Sequence, residues 1–217
     1  MSAVQNLINK HLSEEGKYQR TIFVKGKAGS AAVPDNCHVE FLSCQLGDVT
    51  IGSGCSVQIL SCSVTGTITM SLGQLTMDRS TLNGEIFLTS VRVQQSNCMS
   101  TKQIKLLGGT LTGNFNSRKW DGGPSPIIDC SGCRLELSND KFFETGELAV
   151  RLTQSSTGSF RDCEMLADIG AIRLASSSLE FYGGELKGLE GFALLAENSS
   201  SARISDVNDK LPVLGHE

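Results

Sequence analysis

Four consecutive stretches decide how this chain folds: VEFLSCQL from Val39, VQILSCSV from Val57, LTMDRSTL from Leu75 and VRVQQSNC from Val91. The first two steps between their starts are equal and the third is slightly shorter. Apolar side chains fall at the first, third and eighth places: Val39, Phe41, Leu46; Val57, Ile59, Val64; Leu75, Met77, Leu82; Val91, Val93, Cys98. A second apolar pair follows each stretch: Val49/Ile51, Ile68/Met70, Ile86/Leu88 and Ile104/Leu106. Pairs with period 2, recurring at a fixed longer period, mean one supersecondary unit stacked on copies of itself. No helical segment separates the units, so short β corners must join parallel strands. The expected fold is all-β, a single-stranded parallel β-helix. An antiparallel sandwich explains the alternation but not the same side-chain type recurring at one place in every unit.

The register extends outward from this stretch. The third place continues as Gly113, Leu137, Phe160, Phe181 and Ile204, and Phe142, Met165 and Leu186 follow five residues after three of these. Later steps lengthen, and about nine coils rising about 4.8 Å each make a stack of about 40 Å. Gly66 and Gly84 stand one period apart, where a corner needs positive φ or close backbone approach. Cys44 and Cys62 share a place with Ser80, Ser96 and Cys163, and Cys37 matches Cys55. Cysteine alternating with serine describes an inward ladder of free thiols. A lone CxxC, Cys130 and Cys133, lacks the second pair that a zinc site needs.

Residues 1–36 read as an N-terminal helix, strand and linker, 37–207 as the β-helix, and 208–217 as a C-terminal tail. The helix carries Val4, Leu7 and Ile8 on one face and is expected to cap one end of the stack. The segment 114–125, NFNSRKWDGGPS, interrupts the repeat and is expected to project as a loop. It holds Arg118, Lys119, the sole Trp (Trp120) and Asp121, which makes these four the candidate binding residues.

A net charge of −4 with no basic cluster argues against a nucleic-acid partner. No apolar run approaches a membrane span, and no secretory leader is evident at the N-terminus. Manufacture in a host cytoplasm without a signal peptide is the expectation. The three His are scattered, no GxSxG or phosphate-binding loop occurs, and neither metal nor cofactor is implied. Glu164 and Glu185 share an outward repeat place beside Asp162. Stacked coils would set the two Glu at a separation used by glycosidase carboxylate pairs. Acidic residues are also the commonest solvent-facing ones, so Asp162, Glu164 and Glu185 are the weaker, catalytic alternative.

The repeat geometry over residues 37–207 resembles right-handed parallel β-helix proteins, most closely bacteriophage tail-spike and baseplate-type structural proteins. The resemblance implies a non-enzymatic virion component, a rigid scaffold for attachment that bears other virion proteins and a host surface glycan as partners. Many such proteins are homotrimers, an association that would cover outward apolar residues such as Leu42, Leu60, Phe87 and Phe143. The alternatives are a glycan-cleaving β-helix enzyme and a bacterial β-helical scaffold that polymerises end to end.

Overall fold

The computed structural model describes residues 1–14, 21–119, 125–143, 146–188, 191–207 and 213–215. It is a parallel β-solenoid of about nine turns with one helix at the N-terminus. Each coil has three walls. The first carries His38–Leu42, Cys55–Leu60, Arg134–Ser138, Thr157–Arg161 and Ser178–Tyr182, with the second halves of the long strands Ile68–Asp78, Ile86–Ser96 and Ile104–Asn114. The second is made of short strands, among them Ser63–Val64, Met99–Ser100, Ser117–Lys119 and Lys141–Phe143. The third carries the first halves of the long strands, then Ile128–Ser131, Leu148–Thr153, Gly170–Ala175 and Phe192–Glu197.

Alternation sends every second side chain inward, so equivalent residues stack in columns. One column on the third wall runs Ile68, Ile86, Ile104, Ile128, Val150, Ile172, Leu194, all buried. On the second wall the column is Leu46, Val64, Leu82, Ser100, Arg118, Phe142, Met165, Leu186. Branched aliphatics dominate because they fill a pleated, half-buried surface well.

The structure corrects the sequence reading at three places. The fourth stretch starts at Val93, not Val91, because Val93 pairs with Leu75 and Gln95 with Met77. A two-residue slip preserves which side chains face inward, and Val91 is itself buried at a corner, so the hydrophobic pattern does not separate the two registers. The third step therefore equals the first two, the fourth rung of the cysteine column is Cys98 rather than Ser96, and Gln95 enters the core. Second, the linker contains the strand Ala28–Val33, and Thr21–Lys25 pairs with His38–Leu42, so the solenoid begins at Thr21. Third, residues 114–119 belong to the stack rather than to a loop. At the other end Val213–Gly215 returns to pair with Phe192–Glu197.

The helix Ala3–Glu14 closes the first coil. Ser2 caps it, its Oγ accepting from Gln5 N at 3.0 Å, and also donates to Ser30 O. Val4 and Ile8 are fully buried, whereas Leu12 faces outward. The Gln5 amide pairs with the open strand edge, accepting from Ala32 N at 2.6 Å and donating to Ala32 O at 3.3 Å. A single side chain thus satisfies ladder groups that would otherwise invite another strand.

Candidate functional site

The corners create the environment of the site. At the first corner Ser43, Ser61, Arg79, Asn97, Phe115, Asn139 and Asp162 all adopt positive φ, turning the chain by one residue per coil. The next residue in each coil, Cys44, Cys62, Ser80, Cys98, Asn116, Asp140 or Cys163, is buried. Its job is to satisfy backbone groups that the corner removes from the ladder. Cys62 Sγ donates to Leu60 O at 3.3 Å and accepts from Cys44 N at 3.3 Å; Ser80 Oγ donates to Asp78 O at 2.9 Å and accepts from Cys62 N at 3.0 Å. Small donor–acceptor side chains suit this position, which explains the exchange of Cys and Ser. All eight cysteines are free thiols and seven are buried. Burial pushes the Cys62 thiol up to about 11 and the Cys163 thiol up to about 12.

Where the column reaches Asn116 and Asp140, the core becomes polar. Arg118 lies on the second wall with 0% exposure, and its Nη2 and Nε donate to Asp140 Oδ2 at 2.9 and 3.2 Å. Asp140 Oδ1 accepts from Asn116 N at 2.9 Å and Asn116 Nδ2 at 3.0 Å. Asn116 ties the preceding coil in: its Nδ2 donates to Gln95 O at 3.1 Å, and its Oδ1 accepts from Cys98 N at 3.0 Å. Gln95 Nε2 in turn donates to Ser100 Oγ at 3.1 Å. The guanidinium carbon sits 5.5 Å from the Phe142 ring centroid, a cation–π contact that favours its charge.

Gly113 makes room for this arrangement. A Cβ there would lie 2.6 Å from Leu137 Cδ2, 2.8 Å from Asp140 Oδ2 and 3.2 Å from Arg118 Nη2. The interior space beside Gly113 therefore belongs to an arginine and an aspartate that reach across from the second wall and the first corner. The node is a charge-paired knot with no exposure to the surface, set in a largely apolar core. It is built to hold three coils in one relation, since no substrate reaches it from outside.

The sequence-derived binding residues divide. Arg118 is corrected: it points into the core, because its register neighbours are Ser100 and Phe142 on an inward column. Lys119 is exposed on the same strand. Trp120 and Asp121 lie outside the described residues. Glu164 and Glu185 are register neighbours, as expected, and face outward. Glu164 is engaged by Lys141 Nζ at 2.9 and 3.0 Å, and Asp162 is a positive-φ corner residue. Cys130 and Cys133 are both buried; Cys133 Sγ donates to Leu106 O at 3.0 Å, and the Cys130 thiol is held up by its hydrogen bond with Cys133 and by burial. Among the described residues no group of three or more His, Cys, Asp or Glu is placed to hold a metal ion. Among the described residues no helix is long and apolar enough to cross a membrane.

Sequence reasoning does not single out Asn116, Asp140, Gln95 or Gly113. A signal for them exists in the repeat itself: Arg118 follows Gly113 at the same offset that links Leu137 to Phe142 and Phe160 to Met165. No protein-family model, curated protein or solved structure matches the chain.

Proposed function

We propose that this protein is a non-enzymatic structural or attachment element, a rigid β-helical scaffold serving in a virion as a tail-spike, fibre, baseplate or decoration component. The observation that carries the reading is the continuity of the stack, knotted at its centre by Arg118 and Asp140 and covered at its first coil by a helix. Such a body resists bending and presents fixed outer walls. Charges on those walls pair with neighbours in adjacent coils: Lys141 with Glu164, Arg151 with Asp129 at 2.6 Å, Arg173 with Glu197 at 2.8 Å. Lys141 Nζ already engages both oxygens of Glu164, the carboxyl on which the catalytic alternative depends. An open depression of about 390 Å³ lies on the first wall, lined among others by Thr157, Ser159, Ser178, Arg134, Glu180 and Arg203. Its hydroxyls and charged side chains suit a host surface glycan. Leu42 and Leu60 stack outward on the same wall and suit burial in a homotrimer.

Light scattering on the purified chain tests the assembly, with three times 23.2 kDa expected. A monomer with no affinity for virion proteins or host glycans would overturn the proposal. Any glycan-depolymerising activity of the unaltered chain would speak for the enzymatic alternative; its retention in Glu164→Gln/Glu185→Gln would exclude these two carboxylates as the catalytic pair, and its loss would favour them.

A further inference from the structure

We infer that the buried node contains a specific site for one ordered water molecule, which accepts a hydrogen bond from Arg118 Nη1 and donates one to Gln95 Oε1. These two atoms are buried and have no hydrogen-bond partner among the described residues. They belong to successive rungs of one interior. Gln95 is the register neighbour of Gly113, and the Arg118 guanidinium occupies the space beside Gly113, its Nη2 3.2 Å from where a Cβ would be. Ser100 links them a second time: it is the register neighbour of Arg118, and its Oγ accepts from Gln95 Nε2 at 3.1 Å.

The chemistry of the two atoms selects the occupant. One is a cationic donor and the other a neutral acceptor. An anion has no proton to offer Gln95 Oε1, and Asp140 already balances the Arg118 charge at 2.9 Å. A metal cation has no place beside a guanidinium. Water both accepts and donates. The Ser100 hydroxyl, already an acceptor, has its own proton to give as a third bond, the usual number for a buried water. The site lies within the coils whose relation the node fixes, so the water completes the knot rather than filling a surface cleft.

A crystal structure of the unaltered protein at about 1.5 Å resolves ordered water and tests the site directly. The expected result is one isolated density peak roughly 2.7–3.2 Å from both Arg118 Nη1 and Gln95 Oε1. Density showing a direct bond between those atoms, a protein acceptor on Nη1, or nothing between them would overturn the inference. In solution, oxygen-17 relaxation dispersion counts long-lived internal waters. Gln95→Met is expected to lower that count by one, and an unchanged count in a folded variant would also overturn it. Should Gln95→Met fail to fold, the crystal structure of the unaltered protein decides alone.

Discussion

Replacing Asp140 by alanine removes one small carboxylate and strands a cation. The guanidinium of Arg118 and the carboxylate of Asp140 are both 0% exposed. Arg118 cannot shed its proton to escape the cost of burial, because guanidinium stays charged at any pH a protein survives. Removing one partner of a buried pair costs about 3–5 kcal/mol. Asn116 Nδ2 keeps Gln95 O at 3.1 Å, but the Asn116 backbone N loses the acceptor it holds at 2.9 Å. An unsatisfied buried donor adds about 1–3 kcal/mol. Asp140→Ala is therefore expected to lose at least about 4 kcal/mol, a large share of the roughly 5–15 kcal/mol that folded proteins possess. Urea unfolding followed by circular dichroism measures it. The control is Arg118→Met/Asp140→Ser. Serine already serves the same column at Ser80, and an apolar side chain serves the other at Leu82 and Phe142. Replacing both charges by groups that fit is often neutral, so the double variant is expected within about 2 kcal/mol of the unaltered protein. The reasoning is refuted if Asp140→Ala costs under about 1 kcal/mol, or if the double variant loses the sum of the single losses.

Two further outcomes follow from the corners. The folded pKa values of Cys62 and Cys163, about 11 and about 12, stand above the ordinary thiol value of 9.0. Their contribution is fully present below 9 and is lost as pH rises from about 9 to about 12, because only the unfolded thiols ionise early. Denaturation at stepped alkaline pH should show falling stability in that window, and a flat profile would contradict it. Gly84→Ala drives a Cβ into Gly66 O, far inside van der Waals contact, whereas Gly26→Ala enters open space at φ +60. The first should cost more than about 3 kcal/mol, beyond ordinary overpacking, and the second about 1–2 kcal/mol. Melting temperatures in the reverse order would remove the close-approach explanation for Gly84.

The solenoid was legible in the sequence because its code is short and repeated. Val49/Ile51, Ile68/Met70, Ile86/Leu88 and Ile104/Leu106 stack in the register their spacing implies. The cysteine ladder was legible for the same reason, except at Cys98, where the two-residue ambiguity moved the reading to Ser96. The node was not legible as a site. Arg118 beside Lys119, Trp120 and Asp121 reads as an exposed loop, since charged residues are almost never fully buried unless paired. Its partner Asp140 lies 22 residues away, across a coil longer than those before it. Propensity and local pattern do not report on a neighbour that far along the chain. Only the column arithmetic does.

A stack of similar coils faces a register problem that an irregular core does not. Sliding a strand by two residues keeps every inward side chain inward. Val91 and Val93 are both fully buried, and either would satisfy an apolar column against Leu75. Apolar burial, which is non-directional, discriminates weakly between such alternatives. The node discriminates strongly. A slip that aligned Val91 with Leu75 would set Val93 against Gly113 and Cys98 against Arg118. Both bonds from Asn116 to that coil, to Gln95 O and from Cys98 N, would then break. Each broken bond would leave a buried polar group unpaired, at about 1–3 kcal/mol apiece. Through Asn116, the node contributes to a unique register more than to net stability. An Asn116→Ala variant, which gives up both of these bonds, is accordingly expected to remain folded but to admit the slipped register as a minor form. Its backbone amide spectrum should show doubled signals for residues 91–100, and a single sharp set would mean that the apolar columns fix the register without the node.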